Sequence, residues 1–288
     1  MRAISVDGAT LWHADGAAID VVAELLPAAG RIDDTTRLEV DHRWSVACAR
    51  NPRLFDGPIL SVAGFDPRAG RLSLERRTYR DYATQGELEL GVTLLAVNGL
   101  VLSGPAEAPL DQQHILVGER SQQVHVHPGR LEPAPAGGVD PLGTGRAPTM
   151  DDFRSQLAAE AREEIGPWPE LEQAIGRATP VGLAFDHQAR SCDVVLSVRL
   201  DAESPLPNGW EYEAIEWMPL DRFVKLADLR PAAIIPPAVA LAGLLRSRCE
   251  PERGRGDAGE ADQSRRSREA DGPDRGPDPG RLRFRGAS

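Results

Sequence analysis

The chain has 288 residues, 41% of them apolar and 27% charged, and a formal net charge of −11. That length suits one large globular domain or two small ones, and the negative balance argues against a nucleic-acid-binding surface of the usual basic kind. No apolar run approaches the roughly 18 residues that suggest a membrane span, the first residues lack a basic segment followed by an apolar one, and Cys48, Cys192 and Cys249 stand far apart with no CxxC, so they read as reduced thiols of a cytoplasmic protein.

Residues 1–31 read as short strands and a loop, with the apolar run Ile19–Leu26 ended by Pro27 to Gly30. Asp33 or Asp34 is placed to cap a helix over roughly 35–49, which Asn51-Pro52 closes because the residue before a proline avoids helical geometry. Ile59–Phe65 and Leu72–Thr78 are expected strands on either side of a turn at 66–70. Leu90–Val101 is expected to be a pair of strands bending at Asn98-Gly99, since Asn-Gly is the strongest short hairpin signal. His114–Val117 is a further strand.

His125 and His127 alternate across Val124–Pro128, which predicts one strand face. Without Cys or a third His at zinc spacing, a polar loop face is the better reading than a metal pair. Beyond an acidic helix at 151–166, strands are expected at Val181–Ala184, Val194–Leu200 and Ala214–Met218. A short helix should run from Pro219 to about Leu226, and a last one from Pro236-Pro237 through Arg246. The order is α+β. Glu250–Ser288 is rich in Gly, Pro, Arg and acids and nearly lacks apolar side chains, so it is expected to be disordered. The expected division is 1–88, a small α/β extension packing on the core; 89–249, the main domain; and 250–288, the tail.

The acidic helix, DDFRSQLAAEAREEIG, carries the most information. Glu160, Glu163 and Glu164 are spaced i, i+3 and i+4, so they are neighbours on one helix surface and repel one another. A hard cation such as Mg²⁺, which prefers carboxylate oxygens, would relieve that repulsion. Advancing about 100° per residue from Phe153, Glu160 and Glu164 border the apolar stripe of Phe153, Leu157, Ala161 and Ile165, whereas Glu163 lies further round. Geometry alone leaves a cation site and a solvated acidic face both open.

Together with the upstream Gly137-Gly138, which permits a tight backbone bend, the segment Glu160-Ala161-Arg162-Glu163-Glu164-Ile165-Gly166 resembles the tail of the Nudix hydrolase signature. The signature arginine is Ala159 here, its first glutamate is Asp151, and Pro141–Met150 is extra, although Gly145 keeps the nominal spacing to Asp151. Asn51-Pro52-Arg53-Leu54-Phe55-Asp56-Gly57, Thr78-Tyr79-Arg80-Asp81-Tyr82 and Arg120-Ser121 with Val124 and Pro128-Gly129 are similar to the Nudix branch that hydrolyses UDP-glucose and UDP-galactose, whose members also lack that arginine and carry an insertion.

The resemblance implies an α/β/α sandwich with a mixed sheet and a Mg²⁺-dependent pyrophosphohydrolase, with Mn²⁺ as an alternative ion. It implies Glu160, Glu163 and Glu164 as metal ligands. Glu163, Glu164 and Glu213 are the expected catalytic carboxylates, Glu213 preceding a strand. Substrate contacts are expected from Arg120, Ser121, Tyr79, Gly137 and Gly138, with Arg80 and Asp81 near the nucleoside or sugar. Arg120 suits phosphate because a guanidinium matches two oxygens at once; a surface ion pair is its alternative. The expected partner is a small nucleotide sugar, with neither nucleic acid nor membrane. A pyrophosphatase for ADP-ribose or a dinucleotide, and a non-catalytic ligand-binding module of the same fold, stay open.

Overall fold

The structure, a computed structural model, describes residues 1–14, 21–27, 32–143, 145–201, 203 and 212–249. Met1–Cys249 forms one compact unit; the expected disordered tail lies outside the described residues.

Twelve strands share one mixed sheet: β1 Arg2–Val6, β2 Ala9–His13, β3 Val22–Leu25, β4 Pro58–Asp66, β5 Arg71–Thr78, β6 Leu94–Ser103, β7 His114–Arg120, β8 Leu131–Pro133, β9 Ala136–Gly138, β10 Thr179–Asp186, β11 Ser191–Leu200 and β12 Tyr212–Pro219. The main path runs β1-β2-β10-β11-β6-β4-β5-β3. β11 pairs in parallel with β6, and β3 with β5, while the other pairs are antiparallel. β7 joins β6, β8 and β12, and β9 lies along β6. The N-terminal strands are therefore continuous with the main sheet, β2 through β10 and β4 through β6.

Alternation along β6 builds two cores, because successive side chains of a strand point to opposite faces. Leu95, Val97 and Val101 pack with helix α3 (Met150–Glu164) and helix α4 (Pro169–Ile175). Leu100 and Leu102 pack with helix α5 (Leu220–Leu229) and helix α6 (Pro236–Cys249). Helices thus cover both faces of the sheet, which is the α/β/α arrangement. Helix α1 (Asp34–Arg50) begins where expected, with the Asp33 side chain accepting from the Thr36 N–H at 3.0 Å. It packs on the short helix α2 (Tyr79–Thr84). Among the described residues no helix is long and apolar enough to cross a membrane.

One expectation is corrected. Asn98-Gly99 does not turn the chain: β6 runs straight through it and pairs with β11 from Leu94↔Ser191 to Ser103↔Leu200. Asn98 is buried, and the Gly99 N–H donates to the Pro135 carbonyl at 2.8 Å. A Cβ at Gly99 would stand 3.1 Å from Pro135 Cδ. The glycine thus serves close approach of the chain before β9, and two flanking strands outweigh a local hairpin preference. α2 and α4 were not anticipated; both are too short to show a helical period.

α3 starts at Thr149, whose capping box with Asp152 satisfies end N–H groups. Phe153, Leu157, Ala161 and Ile165 are each at most 2% exposed, so this stripe fixes how the helix is turned. Phe153→Ala should destabilise the fold by about 3–5 kcal/mol, read as a lowered midpoint in urea unfolding followed by circular dichroism.

Candidate active site

The turn of α3 set by its apolar stripe delivers the three glutamates to three environments. Glu160 is partly buried and reaches a cleft of about 400 Å³, where Gln156 Nε2 donates to its Oε1 at 2.7 Å. Its carboxyl group lies against Gly137, in the space that a Cβ at that position would fill. Glu164 is buried, accepts from the Ala136 N–H at 3.0 Å and lies 3.5 Å from the Tyr212 hydroxyl. Glu163 is exposed and is not among the residues lining the cleft. The helical wheel anticipates this split: two carboxylates border the stripe and one does not.

Among the described residues no group of three or more His, Cys, Asp or Glu side chains is arranged to hold a metal ion. What the site offers a cation is all oxygen: the Glu160 carboxylate over the Gly137 backbone, with Glu164 one helical turn away. That donor chemistry fits a hard divalent ion, and Mg²⁺ in particular is held by one or two carboxylates together with substrate phosphates and water.

Gly137 and Gly138 line the cleft from β9, which pairs with Ala96 and Val97 of β6. Tyr79 lines it from the first turn of α2 and stacks edge-on with Trp44, ring centroids 6.3 Å apart. Arg120 lines it from the end of β7, with its guanidinium ion-paired to Glu132 and donating from Nε to the Val126 carbonyl at 3.0 Å. Of the two readings of Arg120, the structure shows an ion pair, made to a buried partner on the wall of the cleft and not at the surface.

Other expected residues sit elsewhere. Ser121 is buried, and its Oγ accepts from the Gln123 N–H at 3.2 Å, which shapes the loop after β7. Arg80 pairs with Asp41 at 2.9 Å and Asp56 at 3.3 Å, and Asp81 with Arg37 at 2.8 Å, so this pair ties α2 to α1 and the preceding loop. Glu213 is the second residue of β12 instead of preceding it; it is exposed, next to a register shift, and accepts from the Gln122 N–H at 3.4 Å. Glu211 lies outside the described residues. Asp151 is exposed and pairs with Arg154 at 2.7 Å.

His125 and His127 are not on a strand. They lie in the loop after β7, His127 with φ +51°, and both line the cleft. His127 Nε2 is 2.6 Å from Asp186 Oδ2. Glu132, Asp186 and Asp193, none of them anticipated, line the same cleft and are each at most 9% exposed. The available signal was Asp193 itself, a lone carboxylate inside the apolar strand CDVVLSV. Burial, followed by the nearby carboxylates Glu132 and Asp186, pushes its pKa up to about 7, against partial relief from Ser191 and Arg120.

Neither a protein-family model nor a curated protein matches this chain. Solved structures resemble part of it. A NUDIX hydrolase from Alicyclobacillus acidocaldarius is 16% identical over 54% of this chain and 91% of that one, with a TM-score of 0.38. An Ap4A hydrolase from C. elegans is 16% identical over 54% of this chain and 99% of its own, TM-score 0.35. The NUDIX domain of NrtR from Shewanella oneidensis, complexed with ADP ribose, is 16% identical over 55% and 88%, TM-score 0.33. Likeness at this level assigns neither an activity nor a substrate to this chain.

The raised pKa of Asp193 sets a pH dependence. Between its ordinary value of 3.8 and about 7 the folded chain keeps a proton that the unfolded chain has lost. Stability should therefore fall as pH rises through that window, by on the order of 4 kcal/mol in total, and level off above it. Asp193→Asn removes the dependence. Thermal melts should show the variant gaining over wild type as pH goes from 4 to 8, with little difference at pH 4.

Proposed function

We propose that this protein is a Nudix-type, divalent-cation-dependent pyrophosphohydrolase acting on a nucleoside diphosphate sugar, UDP-glucose or UDP-galactose, with UMP and sugar 1-phosphate as products. The observation that carries the reading is the Glu160 carboxylate seated against the Gly137 backbone inside the cleft, with Glu164 anchored one turn further along the same helix. A divalent cation held there would neutralise the diphosphate and supply Lewis acidity. The choice of UDP-sugar rests on the resemblance of the 51–57, 78–82 and 120–129 segments.

The residues divide the work. Glu160 and Glu164 would hold the cation, with substrate phosphates and water completing its shell. Glu164 also fixes β9 through the Ala136 N–H, which keeps Gly137 and Gly138 beside Glu160. Arg53 brings positive charge to the wall where phosphates would lie. Tyr79, Leu54 and the 78%-exposed Phe55 offer flat apolar surface for the base. The first 88 residues thus act as an extension that completes the substrate side of the cleft.

A hydrolysis screen over UDP-glucose, UDP-galactose, ADP-ribose and a dinucleoside polyphosphate with millimolar Mg²⁺ tests substrate class. Cleavage of another diphosphate with both UDP-sugars left intact overturns the sugar assignment, and ligand binding without turnover favours a non-catalytic module. Glu160→Gln and Glu164→Gln should each lower turnover by about 100-fold or more and raise the Mg²⁺ concentration needed for half-activation. Unchanged Mg²⁺-dependent turnover in both variants removes the proposed metal site.

Gly137→Ala separates site from scaffold. The three atoms nearest to its methyl group would all belong to the far end of the Glu160 side chain, which can swing away. Activity should drop as steeply as in Glu160→Gln, while the melting temperature should move by no more than a few degrees.

A further inference from the structure

The cleft has a second polar wall that the proposed chemistry does not use. Glu132, Asp186 and Asp193 are all buried there, with Arg120 and His127 as the cationic or protonatable neighbours. The three carboxyls differ in what they have left to offer. Asp186 is committed on both oxygens: Oδ1 accepts from the N–H groups of Gln188 and Ala189 at 2.9 and 2.7 Å, and Oδ2 meets His127. Glu132 is committed to Arg120. Asp193 is 9% exposed and lines the cleft beside Ser191, and among the described residues it forms no ion pair.

A buried carboxyl without a cationic partner is costly, and it persists where something offsets the cost. An anionic ligand group would make matters worse, because acidic groups already outnumber cationic ones on this wall. The same imbalance keeps a diphosphate on the Gly137, Gly138 and Glu160 side. A group rich in O–H donors has the opposite effect, since hydrogen bonds to a charged acceptor are among the stronger ones. Ser191, beside Asp193 on the cleft wall, offers a second hydroxyl partner.

We propose that Asp193, backed by the committed Asp186–His127 and Glu132–Arg120 pairs, is a hydroxyl-accepting subsite that takes the polyhydroxyl (sugar) part of the ligand. This rests on the nucleoside diphosphate sugar reading above and specifies which wall selects the sugar. The ligand then lies across the cleft, with its base toward Phe55 and Tyr79, its diphosphate beside Glu160 and its hydroxyls on Asp193.

Equilibrium binding by calorimetry, with millimolar Mg²⁺, tests it on the full chain with two ligands, UDP-glucose and the methyl ester of UDP, each with a methylene group in place of the bridging diphosphate oxygen so that neither is hydrolysed; the ester keeps the doubly substituted diphosphate and its charge but lacks sugar hydroxyls. Wild type should prefer UDP-glucose by about tenfold or more. Asp193→Ala should collapse that preference to near unity, and Asp193→Asn, which keeps one acceptor oxygen, should leave an intermediate one. Asp193→Asn also guards against misfolding, since removing a costly buried charge should not destabilise the chain. Equal binding of the two ligands by wild type, or an unchanged preference in Asp193→Ala, overturns the subsite. Selective binding that Asp193→Ala abolishes, without any hydrolysis of UDP-glucose, upholds the subsite and overturns only the hydrolase reading. Binding of neither ligand overturns the subsite and the UDP assignment together.

Discussion

Four side chains on α3 decide where the chemistry can happen. Phe153, Leu157, Ala161 and Ile165 are buried against one face of the sheet, and a helix whose stripe is locked has no freedom to rotate. Once the stripe is fixed, Glu160 must rim the cleft, Glu164 must enter the protein and Glu163 must face outward. β9 supplies the other half of the constraint. It lies along β6, the best-connected strand of the sheet, and presents a residue without a side chain where the Glu160 carboxyl arrives. The site is thus a consequence of packing on both sides: an apolar stripe holds the helix, and strand pairing holds the glycines.

The electrostatics of the cleft are uneven, and the unevenness has direction. One end combines Glu160 with the backbone of Gly137 and Gly138, a place that becomes attractive to phosphate only when a cation intervenes. The other end gathers three buried carboxyls, two of them in specific pairs, Glu132 with Arg120 and Asp186 with His127. Such pairs contribute little net stability after desolvation. Their use is to position. His127, held at φ +51°, keeps the loop after β7 against Asp186, and that loop carries His125 and Val126 onto the cleft wall.

Much of this was legible in the sequence because it depends on period. The strand and helix cores have clear alternation or clear stripes, and α1, α5 and α6 start where their capping or proline signals place them. The division of the three glutamates followed from a helical wheel. What was not legible depends on neighbours distant in sequence. Asn98-Gly99 has the local chemistry of a hairpin, yet β11 pairs with every residue of β6 and makes a turn impossible. Alternation suggested that His125 and His127 share a strand face, but the chain is a loop there, held by the Arg120 side chain and by Asp186, 59 residues from His127. Arg80 and Asp81 sit beside a cleft residue in sequence and yet face α1.

Asp193 shows the limit most clearly. In the sequence it is one acid in an apolar strand, which favours neither burial nor a site. Its meaning comes from β8 and β10, which bring Glu132 and Asp186 near it, and from the cleft on which all three open. A strand in a sheet covered on both faces should carry apolar residues throughout, and β11 does so across Val194–Leu196, between Asp193 and the polar Ser197 and Arg199 of its far end. It departs from that rule near its start, where the cleft replaces the helices as the neighbour. The break in the apolar pattern therefore marks the edge of the core, and the carboxyl sits where the fold gives way to ligand space.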